Sequence, residues 1–287
     1  KWTPLMFAVH KKRTKIVAKL LAMGADPNCI DHSTKKSCLH TACISGYGGI
    51  ARMLLQSGKI DNINYNGNVE GESPIYGAIK KCQKYCVELL LKYDLHQQVC
   101  DINVALKTNK QTPMYIACDK GDIEMVRLLL NYKHMKCDLN SMDDKGYTPL
   151  MKAVGKRHVE IVKLLLNYGS EYGNNPLPIP NLNLVNKYKK CATMQACRTN
   201  NFKISKILLN IDENLEGGVL YRVDWRNRTL LDQCLQSHTD KRIIEYIKKL
   251  LYANIHSTIK SVNTSKDHEN VPYLPSGVVQ YICSMTY

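Results

Sequence analysis

Phenylalanine and tryptophan are nearly missing from this chain of 287 residues, two of each, whereas tyrosine occurs seventeen times. A core built on large apolar rings is thereby excluded; tyrosine, with an apolar body and a polar tip, suits half-exposed surfaces. No apolar run approaches the roughly eighteen residues of a membrane span, and no signal peptide is visible. Cys-x-x-Cys pairs and His/Cys sets with zinc spacing are absent, so a structural metal is not expected. There is no glycine-rich phosphate loop, no paired His/Glu motif, and no nucleophile beside a base at recognisable spacing. Neither cofactor nor enzymatic activity is expected. Acidic residues are also short, 25 against 40 Lys and Arg, which leaves a net charge of +15.

What is present is a repeat. Thr148-Pro149-Leu150-Met151-Lys152-Ala153 opens the clearest copy. Thr148 is suited to cap a helix, and Pro149 has no N–H to leave unpaired in the first turn. The pattern predicts a short helix to about Lys156. A second helix carries Val159, Ile161, Val162, Leu165 and Leu166, with Gly169 expected to end it in a left-handed conformation. Two helices this short cannot bury their own apolar faces and require neighbours. Six further copies open at Thr3, Ser37, Ser73, Thr112, Cys191 and Thr229, at spacings of 34, 36, 39, 36, 43 and 38 residues along the chain. Lys1 falls inside the first copy, so the start of the natural protein is expected to be missing.

Twelve cysteines could indicate a disulfide scaffold, but the repeat accounts for most of them. Cys43, Cys118 and Cys197 take the position held by Val9, Ile79 and Val154 elsewhere, which marks them as small core residues. Cys100 and Cys137 share a place just before an Asp-x-Asn turn. The thiols are read as reduced and the compartment as the cytoplasm, with the nucleus allowed. The largest insertion, Ser170 to Lys190, holds Pro176, Pro178 and Pro180, either a stiff surface loop or a docking peptide.

These units resemble the ankyrin repeat, whose signature is Thr-Pro-Leu-His-x-Ala, over residues 1–250. The resemblance implies an all-α solenoid of about seven helix-turn-helix repeats with β-hairpin tips. In that family the hairpin tips and first helices form the binding surface. His40 stands at the signature histidine, where it is expected to satisfy backbone groups between repeats. The family's outward positions here hold Lys11, Lys36, Lys80, Lys81, Lys120, Lys145, Lys156, Lys187, Lys190, Arg198, Arg226 and Arg228. Only Glu70, Glu72, Asp119 and Asp144 oppose them. Lys120, Lys145, Lys156, Lys187, Lys190 and Arg226, interleaved with Tyr147, Tyr188 and Trp225, are the candidate substrate contacts, fitted to an acidic segment of a partner. The same lysines would also serve simply to solvate the array.

Beyond residue 250 the repeat pattern stops. Leu251, Ile255 and Ile259 are spaced by four on one helical stripe, and Leu274-Pro275 opens a second short amphipathic stretch. Taken as it stands, 251–287 is a helical cap over the last repeat. It also resembles a SOCS box, and the whole chain then resembles an ankyrin-repeat and SOCS-box protein. That resemblance implies a substrate-recognition subunit of a cullin-RING ubiquitin ligase. Leu251, Ile255 and Ile259 would contact elongin B and C, although Ile255 stands where the family has Cys. Leu274, Pro275, Val278, Tyr281 and Ile282 would contact a cullin scaffold. Two other readings stay open: a plain ankyrin scaffold without a ubiquitin role, and a viral-type protein whose F-box-like end also starts with Leu-Pro. Nucleic acid is set aside as a partner because it leaves the tail unexplained, and no membrane partner is expected.

Overall fold

The computed structural model describes residues 2–93, 99–171, 180–212, 228–236 and 239–264, with side chains through residue 253 except at 168–171 and 212. Among these residues fourteen helices form seven pairs, one for each copy of the repeat. The pairs are α1 (Pro4–His10) with α2 (Thr14–Ala22), α3 (Cys38–Ile44) with α4 (Gly48–Gln56), and α5 (Pro74–Lys80) with α6 (Lys84–Lys92). Next come α7 (Pro113–Lys120) with α8 (Ile123–Leu130) and α9 (Pro149–Gly155) with α10 (Val159–Glu171). The last two are α11 (Ala192–Arg198) with α12 (Phe202–Asp212) and α13 (Leu230–Gln236) with α14 (Lys241–Thr264). The one β-bridge among the described residues joins Ile30 and Ser37 at a hairpin tip.

Local chemistry starts six of the seven first helices. The hydroxyls of Thr3, Ser37, Ser73, Thr112, Thr148 and Thr229 each accept a backbone N–H three residues on, at 3.1–3.3 Å. At Thr229 the bond is reciprocated, because Asp232 Oδ2 accepts the Thr229 N–H at 2.9 Å, a capping box. Most first helices have seven residues, too few to persist alone in water, so packing has to hold them.

Two compact units divide the chain, residues 1–152 with 164–180 and residues 153–163 with 181–287. In the first, α1 packs on α3, α3 on α5 and α5 on α7, while α2, α4 and α6 form a second row. Cys43 and Cys118, aligned with Val9 and Ile79, are fully buried in it, as a core reading requires. An asparagine ladder ties its successive repeats together. Asn28 donates to Lys59 O at 2.6 Å and accepts the Asp61 N–H at 2.9 Å. Asn64 does the same with Val99 O and the Asp101 N–H, both at 2.8 Å. Asn103 repeats it with Lys136 O and the Asp138 N–H at 2.9 and 2.8 Å. Each Asn thus fills both halves of its amide with backbone of the next repeat.

In the second unit α11 packs on α13, and α12 on α14. Its core holds Met194, Cys197, Leu209, Leu230, Cys234, Ile243, Ile247, Leu250 and Leu251. Two expected helix boundaries change. Helix α10 runs through Gly169 to Glu171, whereas Gly24 and Gly58 turn left-handed after α2 and α4. A helical glycine costs about 1 kcal/mol relative to alanine, and continued hydrogen bonding outweighs it. Helix α14 crosses residue 250 without a break, since no Gly or Pro between Lys241 and Thr264 interrupts it.

Candidate protein-binding face

Four hairpin tips, three in the first unit and one in the second, are each organised by one buried Asn or Asp. Asp31, Asn68, Asp143 and Asn186 are all under a tenth exposed. Asp143 Oδ1 accepts the N–H groups of Lys145 and Tyr147, and Asn186 Oδ1 those of Tyr188 and Lys190. Asp31 accepts from Thr34 and Ser33, bonds that hold its carboxyl well below the usual carboxylate range. These side chains satisfy tip backbone that a loop would otherwise expose, and so fix where the neighbouring lysines emerge.

In three repeats of the first unit the fourth residue of the opening motif reaches to the next tip. Tyr115 donates to Asp143 Oδ2 at 2.6 Å and Tyr76 to Gln111 at 3.5 Å. Burial comes first in raising both phenols well above their ordinary value, with the nearby carboxylates adding to it. His40, 1% exposed, points Nε2 at Glu72 Oε2 at 3.4 Å and has no hydrogen-bond partner there. It therefore faces a carboxylate of the next tip in place of the backbone group expected at its signature position. Gly77 makes room for it, because a Cβ at that position would lie 3.0 Å from His40 Nε2.

Glu72 is the charge centre of this region. It is 2% exposed, and Lys80 Nζ lies 3.0 Å and Lys36 Nζ 3.9 Å from its oxygens. Burial alone pushes its carboxyl up, but the contacts with His40 and Lys80 outweigh this and hold it at about 2. Glu70 also contacts Lys80, at 3.4 Å. Lys36 and Lys80, counted as outward cations in the sequence, are therefore neutralised locally. Lys152 is similarly engaged, 3.3 Å from Asp119 and over the rings of Tyr115 and Tyr147 at 5.2 and 5.6 Å.

Lys81, Lys120 and Lys145 are exposed and have no ion-pair partner among the described residues. Lys81 follows the last residue of α5 and Lys120 ends α7, at equivalent positions of their repeats, and Lys145 sits on the tip that precedes α9. Tyr147 beside it is half-buried. A groove of ≈230 Å³ lies between Trp2, Met6, His10, Thr34, Lys36 and Ile44. It shares Thr34, Lys36 and Ile44 with a second hollow of ≈370 Å³ that reaches Val69 and Lys81. Trp2 and Phe7 stand 43% and 53% exposed on this side with ring centres 6.4 Å apart, and the repeat pattern marks neither as a contact anchor. Their exposure follows from the position of α1 at the edge of the described array, which a repeat motif does not encode.

In the second unit Lys156, Lys187 and Tyr188 are exposed and Lys190 is partly buried. Trp225 and Arg226 lie outside the described residues, as do Leu274, Pro275, Val278, Tyr281, Ile282 and most of the proline-rich run. Ile255 and Ile259 lie on α14 beyond the last described side chains. Leu251, expected as an elongin contact, is 1% exposed and packed into the second unit's core. That placement corrects its role, because a side chain already covered by Cys234, Ile247 and their neighbours is not free to enter a partner's groove. No group of three or more His, Cys, Asp or Glu among the described residues could hold a metal, and no helix among them is long and apolar enough to cross a membrane.

Known proteins share this arrangement. The Saccharomyces cerevisiae protein "Target of rapamycin complex 2 subunit AVO2" is 29% identical over 146 residues, half of this chain and 32% of its own length. The chain thus spans about a third of that relative. The ankyrin-repeat domain of Bcl-3 superposes with a TM-score of 0.69 at 20% identity, covering 86% of this chain and 98% of that one. The human ASB11 ankyrin-repeat domain gives 0.61 at 23% identity, covering 85% and 97%. At these identities the two structures speak for the fold. The profile described as ankyrin repeats in three copies matches residues 5–99 and 94–176. With that match spanning more than half its length, and with seven helix pairs behind it, the chain belongs to the ankyrin-repeat family, whose members mediate protein–protein interaction.

Proposed function

We propose that the tip-and-first-helix face of the first unit binds an extended acidic segment of a partner protein. The observation that carries this reading is the contrast between Lys36, Lys80 and Lys152, which are paired, and Lys81, Lys120 and Lys145, which are not. Lys81 and Lys120, at equivalent positions of successive repeats, are spaced by one helix-packing distance, about 8–10 Å. An extended peptide advances about 3.3 Å per residue, so acidic side chains at every third position would meet them. The partner gains charge complementarity mainly in encounter rate and specificity. The array acts by holding its partner and carries out no chemistry itself. Titration of a fluorescent peptide with Glu at every third position tests this. Binding that weakens at least tenfold in Lys81→Glu/Lys120→Glu/Lys145→Glu supports it. Equal binding by wild type and variant, or displacement of the peptide by duplex DNA at lower concentration than by unlabelled peptide, would reject it.

A second reading makes the array the substrate-holding part of a cullin-RING ubiquitin ligase adaptor in the cytoplasm or nucleus. It rests on the Leu274-Pro275, Val278, Tyr281, Ile282 pattern directly behind the repeats. With Leu251 occupied in the core, elongin contact would fall to Ile255 and Ile259, and tethering would raise the effective concentration of substrate lysines. Co-purification with elongin B and C decides it: a chain that retains neither at micromolar concentration is a scaffold alone.

A further inference from the structure

Cys29 and Cys38 flank the hairpin tip of the second repeat, immediately outside the Ile30–Ser37 bridge. Asp31 N–H donates to Lys36 O at 2.9 Å on the inner side of that bridge; outside it, Cys29 precedes Ile30 and Cys38, the first residue of α3, follows Ser37. Their sulfurs are 3.3 Å apart, both thiols are free, and Thr3 Oγ1 donates to Cys29 Sγ at 3.2 Å. Cys29 is half-buried and reachable from solvent, whereas Cys38 is buried behind it.

We propose that Cys29 and Cys38 are an oxidative modification site, which hydrogen peroxide converts to an intramolecular disulfide that closes the 30–37 tip. The neighbouring thiol and the Thr3 hydroxyl favour a thiolate at Cys29; with the Cys38 hydrogen bond as the largest cause, its thiol is lowered to about 7. Cys29 is thus the nucleophile and Cys38 the resolving thiol. The Cys29 thiolate attacks the peroxide, forming an S–O bond and breaking O–O, and the departing hydroxide takes a proton and leaves as water. The Cys38 sulfur then attacks the Cys29 sulfur; S–S forms, S–O breaks, and the hydroxide leaves with the Cys38 proton as a second water. Two electrons pass from the thiols to the peroxide. The closed tip carries Asp31, Thr34 and Lys36, which line the groove beside α1 and α3, so oxidation would rigidify one wall of the binding face.

The test treats the reduced full chain with one equivalent of hydrogen peroxide, caps remaining thiols with iodoacetamide, and maps the unreduced digest by mass spectrometry. The expected product is a Cys29–Cys38 cross-linked peptide, lighter by two hydrogens, restored to two capped thiols by dithiothreitol and absent in Cys29→Ser. Oxidised wild type should also melt several degrees above the reduced chain, with no such rise in Cys29→Ser. Capped Cys29 and Cys38 alongside oxidised Cys82, or Cys29 carried on to sulfinic acid without a cross-link, would overturn the proposal.

Discussion

At Glu72 one buried carboxylate is shared by Lys80, Lys36 and His40, and its replacement has a pH-dependent effect whose sign can be worked out. Its folded-state value of about 2 lies below the ordinary 4.5. The stability it contributes is therefore fully present above pH 4.5 and is lost as pH falls toward 2. A tenfold difference in proton affinity between folded and unfolded chain is worth about 1.4 kcal/mol, so the carboxylate contributes on the order of 3 kcal/mol at neutral pH. Glu72→Gln should lower the urea midpoint clearly at pH 7 and progressively less at pH 4 and pH 3; a gap that stays constant with pH would show the carboxylate is not held down. Asn64 offers a second residue-scale test. Asn64→Ala removes two bonds to the next repeat and leaves Val99 O and the Asp101 N–H unpaired. A loss of about 1–3 kcal/mol is expected by chemical denaturation.

The turn between the two helices of a pair depends on one left-handed residue. It is Lys12, Gly46, Cys82, Gly121, Arg157 and Asn200 in successive repeats, with φ between 54° and 76°. A side chain in that conformation costs about 1–2 kcal/mol. Arg157→Gly should therefore raise the melting temperature, and Gly121→Ala should lower it. The two changes in opposite directions separate backbone strain from any contact the side chains make. Helix α14 supplies the other element-scale prediction. Leu251 sits in the second unit's core, and Leu251→Asp would bury an unpaired carboxylate there. The variant should lose at least about 3 kcal/mol and melt early in differential scanning, whether or not elongin is present. A Leu251→Asp chain that melts like wild type would mean the side chain is not packed as described. The stripe of Leu251, Ile255 and Ile259 thus holds one residue committed to the core, which a spacing of four does not distinguish from the others.

For the whole molecule, the +15 charge does not act as one field. In the first unit it is partly cancelled where Glu72 and Asp119 collect lysines and left open at Lys81, Lys120 and Lys145. Binding of an acidic peptide should accordingly weaken with salt through a few contacts only, and surface-binding assays at low and physiological salt would count them. The repeat count, the helix pairs and the core cysteines were legible in the chain because capping, proline at the first turn and apolar spacing act within a few residues of one another. Thr112-Pro113 marks the start of α7 within two residues, and the exchange of Cys43 and Cys118 with Val9 and Ile79 marks both as buried. What only the tertiary structure decided are the choices made between repeats. Glu72 and Lys81 look alike as tip and helix-end charges in the sequence, yet one is sealed under His40 and Lys80 and the other is open. The contacts of His40 and Lys36 with Glu72 join successive repeats, across insertions that vary from copy to copy, so the partner is selected by the stacking distance of neighbouring repeats. The sequence thus determined that this chain stacks, and the stacking determined which of its charges remain free to bind.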